Sequence, residues 1–247
     1  MRLIGNKTHG DLAEIGISEF INQFMYDFQS KHVGKDLFRA KNHEEDIVIT
    51  NELSKVQIPV SLKAYGNGPL QLSTDKNCTL YPFLSECFAS RESITDRQEI
   101  AAILRSEQFD AVRQMNILPL IYNEQEKRCN IMIFDYEKAI EQVREIEWVK
   151  EDSTRKHRIY RFLSSDKGYI FEVRYGGREA NALQRGLWTH TQKAEPYFIS
   201  ITNGWICYEH NMELVKLFSL ALNATKKGHE TANAILQTDI SNFRNRE

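Results

Sequence analysis

Hydrophobic and polar positions along the chain repeat with two different periods. Between Thr8 and Gln29 the apolar residues Ala13, Ile17, Phe20, Ile21, Phe24 and Phe28 recur mostly three or four apart, a spacing that gathers them on one stripe of a helix. The pattern then changes to the short apolar runs and two-residue alternation of strands, at residues 46–50, residues 57–63 and, past a Gly-Pro loop, Leu70–Ser73. Thr95 with Gln98 three residues on has the form of a capping box, and Ile100, Ile103, Leu104 and Phe109 continue it as a second long helix. Strands are predicted at Ile117–Tyr122 and Cys129–Phe134 across a polar loop, and a third helix at Tyr136–Ile146. A hairpin from Arg158–Leu163 and Tyr169–Tyr175, strands at Pro196–Thr202 and Trp205–Tyr208, and an amphipathic helix at Leu214–Leu222 complete the series. Helices and strands are interspersed rather than segregated, which predicts an α/β (α+β) fold with a central mixed β-sheet flanked by helices.

The same alternation orients individual side chains. Successive residues of a strand point to opposite faces, so Gln57, Pro59, Ser61 and Lys63 share one face while Ile58, Val60 and Leu62 share the other. Lys63 is thereby carried on a polar face whose reverse side resembles core. A hairpin's length earlier, Asp46 opens the apolar run Ile47-Val48-Ile49. Phosphodiester hydrolysis needs a water activated near neutral pH and positive charge beside the phosphorus. A carboxylate joined by backbone carbonyls and water suits Mg²⁺, which prefers oxygen ligands, and a neighbouring lysine can orient or deprotonate the attacking water.

Composition narrows the alternatives. With 247 residues, 41% of them hydrophobic, the chain can bury a substantial core and is expected to form one large domain. No stretch approaches the roughly 18 consecutive apolar residues of a membrane helix, and Met1-Arg2-Leu3-Ile4-Gly5-Asn6-Lys7 lacks the apolar centre of a secretion signal, so a cytosolic protein with no membrane partner is expected. Cys78, Cys87, Cys129 and Cys207 form no C-x-x-C pair, and the seven histidines form no pair at metal-ligand spacing, which disfavours a zinc site and a disulfide framework. There is no G-x-x-x-x-G-K, no dinucleotide fingerprint and no G-x-S-x-G, so neither a nucleotide cofactor nor a serine-hydrolase mechanism is indicated.

Charge is uneven although the whole chain carries only −2. Residues 155–193 contain nine Lys or Arg against three acids, a local excess that suits phosphate contact. Within it Arg178, Asn181, Gln184 and Arg185 are the residue types that read guanine and adenine edges, and Thr189, His190 and Lys193 are their neighbours. Directly after Lys63, the loop Ala64-Tyr65-Gly66-Asn67-Gly68-Pro69 has small residues that allow backbone N–H groups close to a phosphate. Gln71 and Ser73 follow on the polar positions of the next strand. Tyr65, Asn67, Gln71 and Ser73 therefore join the DNA-contacting candidates.

Asp46 followed by Ser61-Leu62-Lys63 resembles the PD-(D/E)xK nuclease core, most familiar from type II restriction endonucleases. The resemblance covers about 20 residues. It implies a restriction-endonuclease-like core, at about 8–135, and a DNA-recognition region at about 150–210, within a single endonuclease domain spanning 1–247. Ser61 stands where the family usually has Glu or Asp, and Glu45 where it often has Pro. The resemblance makes Asp46 the principal Mg²⁺ ligand, the backbone carbonyl of Leu62 a second, and Glu14, on the border of the first helix's apolar stripe, a third; Glu19 points roughly away from that stripe. Lys63 positions or activates water, and Ser61 occupies the place of the second catalytic acid. The implied activity is Mg²⁺-dependent cleavage of double-stranded DNA at a short specific sequence, leaving 5′-phosphate and 3′-hydroxyl ends, by a prokaryotic cytoplasmic protein that pairs as a homodimer on a palindromic target. The alternative is a non-catalytic DNA-binding or partner-binding protein in which Lys63 contacts phosphate and Asp46 is structural.

Overall fold

The structure is a computed structural model that describes residues 6–25, 27–32, 46–66, 68–113, 116–123, 125–126, 128–132, 134–149, 159–175, 185–202 and 204–207. In chain order the elements are α1 (Asn6–Phe24), β1 (Phe28–His32), β2 (Ile47–Asn51), β3 (Gln57–Tyr65), β4 (Pro69–Thr74), α2 (Leu80–Phe88), β5 (Ser93–Ile94), α3 (Arg97–Leu104), a 3₁₀ turn at Glu107–Phe109, α4 (Asp110–Arg113), β6 (Ile117–Asn123), β7 (Arg128–Ile131), α5 (Tyr136–Gln142), β8 (Glu145–Val149), β9 (Ile159–Leu163), β10 (Tyr169–Tyr175), β11 (Arg185–His190), α6 (Glu195–Thr202) and β12 (Ile206–Cys207). The fold is mixed α and β. It divides into two compact units, one formed by residues 1–64, 122–129 and 206–247 and the other by 65–121 and 130–205.

In the first unit β1, β2 and β3 form an antiparallel meander, with His32 opposite Ile47 and Ile47 opposite Val60. The β2–β3 turn is built by Asn51, whose side-chain oxygen accepts from the N–H groups of Leu53 (3.0 Å) and Ser54 (2.9 Å), while Lys55 takes the left-handed conformation at φ 58°. Asn can bond the backbone two or three residues on in this way. Ile47, Ile49, Val60 and Leu62 are buried, as are Ile15, Ile17 and Ile21 of α1. Helix α1 ends at Phe24, and Phe28, expected on that helix, opens β1 instead.

The second unit carries a six-stranded sheet in the order β4-β11-β10-β9-β8-β5, antiparallel throughout. Leu72, Ile146, Phe162, Phe171, Val173 and Leu187 of this sheet share one apolar cluster with Leu84 of α2, Ile103 and Leu104 of α3, Ile140 of α5 and Phe198 of α6. Phe162 and Phe171 stack at its centre with ring centroids 4.5 Å apart.

Several elements depart from the sequence expectation. Helix α2 occupies a segment to which hydrophobic periodicity assigned nothing; Leu80, Leu84 and Phe88 are its buried stripe, and Asp75 accepts from the N–H groups of Thr79 (3.1 Å) and Leu80 (2.8 Å) at its start. Helix α3 is capped by Asp96, which accepts from Glu99 N–H at 2.8 Å, one residue past the Thr95–Gln98 box. The helix predicted to reach Ile146 stops at Gln142, because Ile146 and Trp148 pair with Phe162 and Tyr160 of β9. Residues 196–202, expected as a strand, belong to α6, where Pro196 lies in the first turn, the one place in a helix that needs no N–H. The predicted helix at 214–222 lies outside the described residues.

Candidate active site around Asp46 and Lys63

Asp46 stands at the mouth of β2, its own N–H donating to the carbonyl of Val60 at 3.0 Å. Its Oδ2 accepts from the backbone N–H of Leu62 (2.7 Å) and from the Ser61 hydroxyl (3.0 Å). The neutral residue in the place of a second acid therefore serves the first acid as a donor. Leu62 points its side chain into the core at 6% exposure, leaving the half-buried Lys63 on the alternate face.

The electrostatics tie three charged groups together. Burial, and then the negative charge of Glu14, push the Asp46 carboxyl above its usual value, while the Lys63 ammonium and the bonds from Leu62 and Ser61 act the other way. The charges of Glu14 and Lys63 are thus both felt at Asp46. Glu19 is also half-buried on α1. Glu14 is further engaged by a residue that the sequence pattern did not single out: His32 Nε2 lies 2.9 Å from Glu14 Oε2. Hydrophobic periodicity could not have found His32, because the inward positions of β1 include polar Ser30 and His32 as well as Phe28.

Whether these residues fit Mg²⁺ follows from their chemistry. Two carboxylates, one disfavouring the charge of the other, form a partly buried oxygen donor set that a hard divalent cation would relieve. Among the described residues no three His, Cys, Asp or Glu side chains converge as a ready-made cage. A cation held by these two acids would have to complete its shell with backbone carbonyls and water.

The DNA-contacting candidates divide. Asn67, Arg178, Asn181 and Gln184 lie outside the described residues. Tyr65 is exposed at 41% and Lys193 is also exposed. Ser73 is buried, and Thr189 is wholly buried with its hydroxyl donating to the carbonyl of Ile170 at 2.9 Å, so neither side chain is presented at the surface. Gln71 donates to the carbonyl of Arg185 at 2.9 Å, and the Arg185 guanidinium rests against Cys78 Sγ. His190 is half-buried, and burial followed by the charges of Lys193, Arg174 and Arg161 holds its pKa below the usual value.

Among the described residues, three of the basic side chains in the 155–193 stretch are held in ion pairs. Arg161 and Arg174 both meet the buried Glu172, at 3.7 Å and 3.2 Å, Arg161 also reaches Glu147 at 3.5 Å, and Lys167 pairs with Glu145. Glu145 and Glu147 come from β8, outside the basic window, and strand pairing brings them to it.

Comparison with protein family models, curated proteins and solved structures finds no match. Among the described residues no helix is long and apolar enough to cross a membrane.

Proposed function

We propose that the protein is a Mg²⁺-dependent endonuclease with a restriction-endonuclease-like core, hydrolysing double-stranded DNA at a short specific sequence as a type II restriction enzyme does. The observation that carries this reading is the meeting of Glu14 from α1, Asp46 at the mouth of β2 and Lys63 near the end of β3 in one electrostatic neighbourhood. A helix acid, a strand-mouth aspartate and a strand lysine correspond to the parts of the resembled core, in its order along the chain.

Asp46 and Glu14 would hold the cation, with the Leu62 carbonyl as a further oxygen. When bound, Mg²⁺ supplies positive charge at the scissile phosphate and lowers the cost of deprotonating water. Lys63, on the polar face of β3, orients the attacking water and opposes the negative charge that accumulates on phosphorus. Ser61 and the Leu62 N–H fix Oδ2 of Asp46 and so fix the direction in which the carboxylate's other oxygen points. Water oxygen bonds to phosphorus, the bond from phosphorus to the 3′ oxygen breaks, and that oxygen takes up a proton, leaving 5′-phosphate and 3′-hydroxyl ends.

The two bonds accepted by Asp46 Oδ2 favour one other reading, a DNA-binding protein without catalysis in which Asp46 only closes the β2–β3 hairpin. Digestion of a mixed phage DNA by purified protein in Mg²⁺ separates them. Discrete fragments that disappear with Lys63→Ala, while sequence-specific binding in Ca²⁺ persists, are the expected result. Undiminished cleavage by Lys63→Ala, or no cleavage by the native chain, overturns the proposal.

A further inference from the structure

Helix α1 is joined to β1 by a row of polar contacts. Asn22 bonds the backbone N–H and C=O of Ser30 at 2.6 and 2.9 Å, Ser18 accepts from the Ser30 hydroxyl at 3.0 Å, and Glu14 meets His32 at 2.9 Å. Eight residues of helix advance about 12 Å while two residues of strand advance about 6.6 Å, so Asn22 and Ser18 both engage Ser30 and Glu14 engages the next inward residue of β1, His32. The first contacts are between neutral groups. The last places a carboxylate against an imidazole, with side-chain exposures of only 17% and 22%, at the end of the seam where His32 pairs with Ile47, the residue after Asp46.

The contacts at Asn22 and Ser18 join helix to strand through neutral groups, whereas Glu14 adds a negative charge that is felt at Asp46. A half-buried carboxylate facing another is a cost that a bound cation offsets. His32 takes Oε2 of Glu14, and among the described residues no hydrogen bond engages Oε1. Ligating carboxylates are commonly oriented by such outer hydrogen bonds.

We infer that His32 is a positioning residue for a divalent cation: by donating from Nε2 to Glu14 Oε2 it aims the other oxygen of Glu14 toward Asp46, so that both acids hold the same ion. This deepens the nuclease reading and rests on it for the identity of the ion, but it is tested without DNA. In this arrangement His32 does not touch the cation, and its role is that of a fixed donor. Glutamine, whose side-chain amide can place an N–H near the position of Nε2, should replace it.

The test is calorimetric titration of the full chain with MgCl₂ and, separately, MnCl₂, alongside thermal melts in EDTA. His32→Ala is expected to weaken binding of both ions by roughly 10- to 100-fold, the usual effect of removing an outer-shell partner, while His32→Gln leaves affinity essentially unchanged. If His32→Ala melts too early to titrate, His32→Asn, whose shorter amide falls short of Glu14, carries the same expectation. Unchanged affinity in His32→Ala overturns the inference. Equal losses in Ala and Gln would make His32 a direct ligand and overturn it too, as would a native chain that binds neither ion. A native chain that binds the ions in a His32-dependent way yet cuts no DNA would leave this inference standing and sink the nuclease reading.

Discussion

At the scale of single residues, Asp46 joins stability to function with opposite signs. Its pKa is raised in the folded state, first by burial and then by Glu14, so between the ordinary carboxylate value and the raised one the folded chain binds more protons than the unfolded chain. Stability therefore falls as pH rises through that window, and at neutral pH the charged Asp46 works against folding. Asp46→Asn removes the charge while an amide oxygen can still accept from Leu62. The variant is expected to lose Mg²⁺-dependent cleavage yet melt at a higher temperature than the native chain at pH 7 without metal. That difference should shrink as pH is lowered into the ordinary carboxylate range, and melting curves over a pH series would read it. A variant that melts lower at pH 7 would mean that the two bonds at Oδ2 outweigh the burial and repulsion. The residue pattern placed Asp46 at a strand mouth, Lys63 on the next strand and Glu14 on the first helix, as the structure has them, because strand alternation and helix stripe are local. His32 was not legible, since its partner lies 18 residues earlier on another element and its strand has no apolar signature.

At the scale of elements, β11 shows how a polar-looking sequence becomes a sheet strand. Arg185–His190 runs between β4 and β10, and its hydrophobic content is modest. What commits it is pairing on both sides, with Glu172 opposite Trp188 on one strand and Gln71 opposite Trp188 on the other. The same cause explains β8, where pairing with β9 outcompeted continuation of the preceding helix, and the reverse holds for α6, where Tyr197 and Phe198 gain burial as helix residues. Periodicity located the β2–β3 and β9–β10 hairpins because their partners are neighbours in sequence; β11 also needs the distant partner β4, and β8 was hidden because its apolar residues continue the spacing of the helix before it. Gly186 is the point at which β11 is most sensitive. Its φ of +138° is disfavoured for any other residue, and an added Cβ would collide with the carbonyl oxygen of Ser73. Gly186→Ala is expected to lower stability by roughly 1–3 kcal/mol from the backbone conformation alone, with separation of β4 from β11 adding to it. Urea unfolding would measure the loss, and hydrogen exchange should show faster exchange first at the amides of residues 70–74. A neutral result would mean that β11 can shift to a different local register.

At the scale of the whole molecule, charge taken along the sequence and charge taken in space give different pictures. The basic stretch reads as a phosphate-contacting surface when counted in a linear window. In the fold, Arg161, Lys167 and Arg174 meet Glu145, Glu147 and Glu172, and strand pairing supplies two of those acids from outside the window. At the candidate site the balance is the reverse, with Asp46 and Glu14 countered by Lys63. A divalent cation should therefore act on the folded chain as a stabilising ligand, whatever its role in chemistry. An ion that binds only the folded state adds RT ln(1 + [L]/Kd), about 2.7 kcal/mol at a hundredfold excess over Kd. Melting of the native chain is accordingly expected to rise with Mg²⁺ concentration and to keep rising logarithmically above Kd. Asp46→Asn, already higher without metal, should show no such rise, so the two melting curves converge or cross as Mg²⁺ is added. Calcium should reproduce the stabilisation without supporting cleavage, since it satisfies the same oxygen donors with looser geometry. An equal Mg²⁺ response in both proteins would place the ion somewhere other than Asp46 and remove the support for the proposed metal site.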